Sequence, residues 1–381
     1  MATEAHSSRT PLRLLMVAPT AAPGGQEDIL FNLAICLPAL DVSPQVISLH
    51  DGALVDRLRS AGVPVTVTEA GRLRQPVHFM RTAQALRAAM RPDPFDAVYS
   101  NMPKAHLYAA WGAWRQHTPT LWVQAGYPDP AHWLDRLATA LPADAIICES
   151  RDAVAAQQRL RPARSVHLMH PGIDAERFCL GGDPGLRAAY GIELGAPLVS
   201  IVGRLQPWKG QRQFLEAAAV VARSHLTAQF AVVGGAILGW EGDYPDELER
   251  LASSLGIRDR TVFTGHTTDV PRWMAASDVV VNASDPEPFG LVVIEAMAAE
   301  CAVVAVAKGG PRDVIEDGVS GLLCPHREPA ALADAIVRLL GDSDLRARIG
   351  RSARVHVRTS FTRDAMARRF AEILRSTVAS Q

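Results

Sequence analysis

Two glutamates, Glu287 and Glu295, flank the turn Pro288-Phe289-Gly290. The strand-like run from Ser277 to Asn282 leads into them and the apolar helical run from Leu291 to Ala299 follows. One carboxylate therefore belongs to a loop and the other lies about two helical turns on. If the helix opens near Phe289, its rise sets them about 9–12 Å apart. That is too wide for a pair attacking one glycosidic bond from both sides at ~5 Å, and at or beyond the upper end of the inverting range. It suits a ligand with two hydroxyl-rich ends joined by an anion. The amides at Phe289, Gly290 and Leu291 would then face the anion, as the start of a helix does.

A second segment supplies positive charge. The buried strand signal from Ser200 to Val202 ends in Gly203-Arg204, and the loop through Lys209 and Gly210 precedes a helix from Gln211 to Arg223. Arg204 and Lys209 thus project from a strand's carboxyl end, the edge where open α/β sheets bind ligands. A planar guanidinium and a mobile ammonium suit a diphosphate leaving group. Surface ion pairing is the plainer role for both, but their place beside Gly203 and Gly210 favours phosphate. For Glu287 the plainer role is charge support at a helix start.

Apolar strand-like runs alternate with helical ones along the whole chain, the pattern of parallel sheets covered by helices. In the first half they are Leu12–Ala18, Val46–Leu49, Val65–Val67, Ala97–Tyr99, Thr120–Val123, Ala145–Cys148 and Val166–Met169. After a loop-rich stretch from Asp183 to Pro197, which reads as a linker, a second series follows: Leu198–Val202, Gln229–Val233, Thr261–Thr264, Val279–Asn282, Val303–Val306 and Gly321–Cys324. The fold class is α/β, with two Rossmann-like parallel-sheet domains facing across a cleft. Residues 1–182 form an acceptor-side domain and 183–361 a donor domain.

The elements in order resemble retaining GT-B glycosyltransferases of family 4, in the glycogen synthase and phosphatidylinositol mannosyltransferase-like superfamily. The resemblance rests on Arg204, Lys209 and the Glu287-x7-Glu295 pair. It also rests on Val232-Val233-Gly234-Gly235, Val262-Phe263-Thr264-Gly265, Gly309-Gly310-Pro311, the segment Asp317 to Leu322, and His170-Pro171-Gly172-Ile173-Asp174. It implies retaining, metal-independent transfer of a hexose or N-acetylhexosamine from a UDP-linked donor to a small-molecule, natural-product or lipid hydroxyl. Glu287 would hold the donor's sugar hydroxyls, Glu295 the ribose, and Arg204 and Lys209 the diphosphate. Gly24, Gly25, Gly203 and Phe263 would join Phe289, Gly290 and Leu291 around the donor. The last helix, near 363–375, would return to the first domain with residues 362–381. A non-catalytic nucleotide-sugar-binding partner and a sugar-nucleotide epimerase are the alternative functions.

One position departs from the family. Members commonly carry a histidine after the fifth strand, where this chain has Gln124. Glutamine hydrogen-bonds a hydroxyl but does not exchange a proton as histidine does. Gln124, Tyr127, His106 and His132 are the acceptor candidates, and Trp111, Trp114, Tyr127, His132 and Trp133 would form an aromatic floor.

The remaining signals exclude more than they add. The chain has 381 residues, 48% hydrophobic, with a net charge of −1, which gives nucleic-acid binding no electrostatic support. Five cysteines, none spaced as CxxC, read as reduced thiols of a cytoplasmic protein. Asp342-Ser343-Asp344 has a metal-binding form but precedes a helical run and reads as a cap. No metal site and no cofactor are expected. No apolar run reaches membrane-spanning length. Residues 72–91 carry Arg72, Arg74, Arg81, Arg87 and Arg91 opposite an apolar face of Phe79, Ala83, Leu86 and Met90. That reads first as a covering helix with a solvated basic face, and secondly as a peripheral contact with an anionic membrane face.

Overall fold

The computed structural model describes residues 10–71, 75–91, 94–114, 116–178, 183–236 and 242–380. Arg72, Arg74 and Cys179 lie outside them, as does the side chain of Trp114. The chain divides into two compact units, 1–172 with 363–381, and 173–362.

In the first unit, seven strands among the described residues form one parallel sheet. They are β1 (Leu12–Ala18), β2 (Val42–Ser48), β3 (Val65–Val67), β4 (Ala97–Asn101), β5 (Thr120–Gln124), β6 (Ala145–Cys148) and β7 (Val166–Leu168). Their order is β3-β2-β1-β4-β5-β6-β7. In β4, β5 and β6 every residue is buried, the mark of strands covered on both faces by crossover helices. The helix Pro76–Ala89 turns Ala83, Leu86 and Met90 inward and stacks Phe79 on Tyr108, with ring centroids 4.8 Å apart. Arg81 and Arg91 face solvent, together with Val77 and Met80. The helix Arg363–Ala379 completes this unit. It buries Met366, Phe370, Ile373 and Leu374, sets Phe370 edge-on to Tyr99, and ties Arg369 to the Leu168 carbonyl.

The second unit holds β8 (Leu198–Val202), β9 (Gln229–Val233), β10 (Thr261–Phe263), β11 (Val279–Asn282), β12 (Ala302–Val306) and β13 (Leu322–Cys324). They form a parallel sheet of order β10-β9-β8-β11-β12-β13. Alternation along the strands feeds two cores. Val199 and Ile201 pack with Phe214 and Phe230 on one face, and Leu198, Val202, Trp273 and Ile294 pack on the other. The strand order reverses between β8 and β11, whose carboxyl ends are therefore neighbours.

Two expectations are corrected here. The stretch 183–197 is not a linker. Its helix Pro184–Ala189 is capped by Asp183 and buries Leu186 in the second core. From it the Arg187 guanidinium bonds the Ala196 and Ala276 carbonyls and the Asp278 carboxylate at 2.8 Å. The division falls after Gly172 instead of after residue 182, because Ile173, Ala175 and Phe178 already join that core and Ile173 N–H donates to the Phe361 carbonyl. As read from the chain, Asp342 caps the helix Ser343–Ser360, its carboxylate accepting from Leu345 N–H at 2.8 Å.

Truncating Phe370, fully buried in the first unit, removes an aromatic from a packed core. Phe370→Ala is expected to cost about 3–5 kcal/mol in chemical denaturation; a loss below about 1 kcal/mol would show that the terminal helix is not part of that core.

Candidate functional site

β8 ends at Val202, and Gly203 turns the chain with φ 152° while its N–H donates to the Val233 carbonyl at 2.9 Å. Arg204 follows, half-buried, and then a 3-10 turn over Pro207–Lys209. Gly210 takes φ 79°, and any Cβ there would fall on the Ala283 carbonyl, so glycine lets the β8 loop lie directly against the β11 loop. A backbone bond joins the two loops, Asp285 N–H to the Trp208 carbonyl at 2.9 Å.

That approach brings Lys209 to Glu287. Lys209 Nζ sits 2.9 Å from Glu287 Oε2, with side chains 18% and 6% exposed. Asn282 Nδ2 donates to the same oxygen at 3.1 Å, and Ser284 adds a hydrogen bond. Burial pushes the Glu287 carboxyl up. The Lys209 charge and these hydrogen bonds outweigh it, so the group stays below the ordinary glutamate value and is an anion at neutral pH. Lys209 also stands 4.2 Å above the Trp208 ring.

The backbone around Glu287 is clamped as well. Gly310 N–H donates to the Glu287 carbonyl at 2.9 Å. Gly309, at φ 80°, approaches so closely that a Cβ would overlap that carbonyl. Asp285 is a second anchor, bonded by Lys308 Nζ at 2.5 Å and Arg327 Nε at 2.6 Å. Burial raises its pKa but these two cations win, and it too is held low.

Among the expected donor residues, the structure brings Lys209 into contact with Glu287 and packs Gly290 against Glu287, while Gly203 and Arg204 lie on the loop that carries Lys209. Lys209 is not an unattached cation: it is paired with Glu287, two residues to which separate roles were assigned. The helix is Leu291–Ala298 and opens at Leu291 with Gly290 as its cap, not near Phe289. Its first-turn amides therefore begin at Leu291, while the Phe289 ring packs into the core against Phe361, centroids 6.0 Å apart. Glu295 lies half-buried in that helix. Phe263 ends the edge strand β10, with the Arg258 guanidinium 5.2 Å over its ring. In the first unit, Gly24 is extended (φ −178°), a conformation open to any residue, and Gly25 starts the helix Gly25–Cys36.

The acceptor candidates are dispersed. Gln124 ends β5, buried, and its Nε2 donates to Asp135 Oδ1 at 3.4 Å. His106 is a correction: it is wholly buried, stacked on Trp122 at 4.7 Å and 6°, with Nδ1 3.1 Å from Ser100 Oγ. Burial drives its pKa down to about 3, so it is a neutral core histidine. His132 is exposed, 3.5 Å from Asp135, and Tyr127 is half-buried. The aromatic floor does not form as one surface, since Trp111 packs onto the core beside Phe79 while Trp133 is exposed. Sequence reasoning missed Asn282, Ser284 and the Asp285–Lys308–Arg327 cluster. A polar residue closing a Val-Val-Val strand at its ligand-binding end was the available signal for Asn282.

Among the described residues, no group of three or more His, Cys, Asp or Glu is placed to hold a metal, and no helix is long and apolar enough to cross a membrane.

Comparison with known proteins adds kinship to this geometry. Residues 23–177 match the family described as Glycosyltransferase Family 4, and residues 184–356 match Glycosyl transferases group 1. A D-inositol 3-phosphate glycosyltransferase of Frankia alni is 40% identical over 194 residues, 49% of this chain and 47% of that protein. The chain thus spans about half the length of that relative. D-inositol 3-phosphate glycosyltransferase 1 of Catenulispora acidiphila is 30% identical over 344 residues, covering 84% of this chain and 79% of that one. The crystal structure of Anabaena Alr3699/HepE in complex with UDP and glucose superposes with a TM-score of 0.83 at 28% identity, covering 96% of this chain and 100% of the other.

Lys209→Ala strands the buried Glu287 carboxylate. A loss of about 3 kcal/mol is expected at neutral pH. The wild-type contribution is present above the unfolded glutamate value of ~4.5 and disappears as pH falls through the lower folded value. The gap between variant and wild type should therefore close in urea titrations carried below that range; a gap constant with pH would show the pair to be uncoupled from stability.

Proposed function

The chain belongs to the family 4 glycosyltransferases, and on that footing we propose that it transfers a hexose or N-acetylhexosamine from a UDP-linked donor to an acceptor hydroxyl, with retention and without a metal ion. The observation that carries this reading is the pairing of Lys209 with an ionised Glu287 across the adjoining carboxyl ends of β8 and β11, with Arg204 on the same loop as Lys209.

The chemistry follows from those groups. The bond from the anomeric carbon to the diphosphate oxygen breaks, and negative charge grows on the diphosphate. Arg204 and Lys209 stabilise that charge, with the first-turn amides from Leu291 oriented toward it. Glu287 is an anion and so accepts hydrogen bonds from sugar hydroxyls; it does not act as an acid. Glu295, further along the same helix, takes the ribose. The acceptor oxygen attacks on the face the diphosphate leaves, and its proton passes to the departing phosphate oxygen. Two protein cations supply the charge that a metal would otherwise bring.

The relatives support the substrates. HepE is described in complex with UDP and with UDP-glucose, which favours a uridine donor. The inositol-phosphate enzymes favour a small polyhydroxylated acceptor.

Thermal-shift screening against UDP, GDP, ADP and their sugars should show the largest stabilisation with UDP compounds. Arg204→Ala is expected to lower kcat/KM by about 100-fold or more, and transfer should survive a chelator. Full activity in that variant would remove the phosphate assignment. Rapid epimerisation of donor without acceptor would replace transfer by a different reaction.

A further inference from the structure

Resting on that reading for the identity of the ligand, we propose that Lys104 and His50 form an anion subsite on the first unit, which takes a phosphate monoester carried by the acceptor.

Composition first singles out the residue. Of the 39 lysines and arginines in the chain, only three are lysine: Lys104, Lys209 and Lys308. A compact ammonium on a flexible stem is not interchangeable with a planar guanidinium in the anions it meets. All three lysines follow strands closely, at the carboxyl edges where open α/β sheets receive ligands. Lys209 is paired with Glu287 and Lys308 with Asp285. Lys104 differs. Among the described residues its Nζ meets no carboxylate, and it lies 3.0 Å from His50 Nε2.

Topology brings the pair together. β2 and β4 flank β1, and the strand order of the first sheet reverses between β1 and β4. His50 lies just beyond β2 and Lys104 just beyond β4, so their contact sits at the switch point of the sheet. The helix Met102–Trp114 starts directly after β4, with Met102 held at φ 66°. A side chain in that left-handed region is strained, and such strain persists where the surroundings impose it.

Electrostatics leave the pair short of negative charge. An ammonium only donates, so His50 Nε2 accepts and the imidazole is neutral. Burial and the Lys104 charge push the His50 pKa down, against a weaker upward pull from exposed Glu69. Burial also holds Lys104 below the ordinary lysine value. Lys104 stands in the first turn of its helix, at the positive end of the macrodipole, and that turn carries no acid. A half-buried cation beside an imidazole and a helix start thus lacks the anion that would stabilise it. Both residues stay partly exposed, so an ion from solvent reaches them. A phosphate monoester fits because it brings two charges. One meets the ammonium, and the other favours protonation of His50, which then donates as well.

The test measures binding before turnover. Calorimetry on the full chain uses inositol 3-phosphate, glucose 6-phosphate, gluconate, and the neutral parents inositol and glucose. Wild type should bind the phosphates more tightly than their parents by about tenfold or more. Lys104→Met and His50→Gln should each lose most of that preference while UDP affinity stays near wild type, and Lys104→Arg should restore part of it. In wild type, inorganic phosphate should shift the His50 imidazole resonances, a readout that depends on no variant folding. Unmoved His50 resonances, or a phosphate preference that survives Lys104→Met, overturn the proposal. Gluconate bound as tightly as the phosphates overturns the choice of phosphate. If the phosphates bind through Lys104 yet receive no sugar, the transfer reading fails and the subsite stands. If a neutral polyol is glycosylated equally by wild type and Lys104→Met, transfer stands and the acceptor role of the subsite fails.

Discussion

A carboxylate almost fully withdrawn from water has to be kept charged, and the second unit is arranged around that requirement. Glu287 is 6% exposed. Burial alone would neutralise it, and a stranded anion there would be expensive. Lys209, Asn282 and Ser284 hold it as an anion. Lys209 comes from the loop after β8, while Asn282 and Ser284 come from the end of β11. These are neighbouring strands only because the sheet order reverses between them. The ion pair is therefore a consequence of topology as much as of composition.

Backbone contacts make the arrangement stiff. Gly210 lets the β8 loop touch the Ala283 carbonyl, and Gly309 and Gly310 press on Glu287 and Phe289 from the loop after β12. Asp285 adds a second, half-buried carboxylate, held by Lys308 and Arg327. Three loops are thus joined by charge and by main-chain approach, so the charged groups are held in place by the fold itself. Preorganisation of this kind is where electrostatic catalysis draws its strength.

The first unit differs in character. Its buried polar groups are neutral or paired: His106 is stacked on Trp122 and kept uncharged, and Gln124 reaches Asp135. Its sheet ends offer hydrogen bonding. Gln124, at the end of β5, is a carboxamide bonded to a carboxylate, and a carboxamide hydrogen-bonds hydroxyls without exchanging protons.

Periodicity alone was enough to read the parallel α/β architecture, because strands covered on both faces appear as unbroken apolar runs and the helices between them do not. Leu12–Ala18, Leu198–Val202 and Val279–Asn282 were legible to the residue. The placement of Arg204, Lys209 and Glu287 in loops at the carboxyl ends of β8 and β11 was legible too, since each follows an apolar strand run. Their partnerships were not. Lys209 and Glu287 are far apart in the chain and meet at 2.9 Å only through strand order and the close approach that Gly210 permits. His106 looked like a candidate because a histidine's burial depends on which helix face meets the sheet, which no local pattern records. The stretch 183–197 looked like a linker because its helix is short and its anchors, buried Leu186 and the Arg187 guanidinium, reach groups distant in sequence. Local periodicity is written in neighbouring residues; pairing of charges is written in the packing of distant ones.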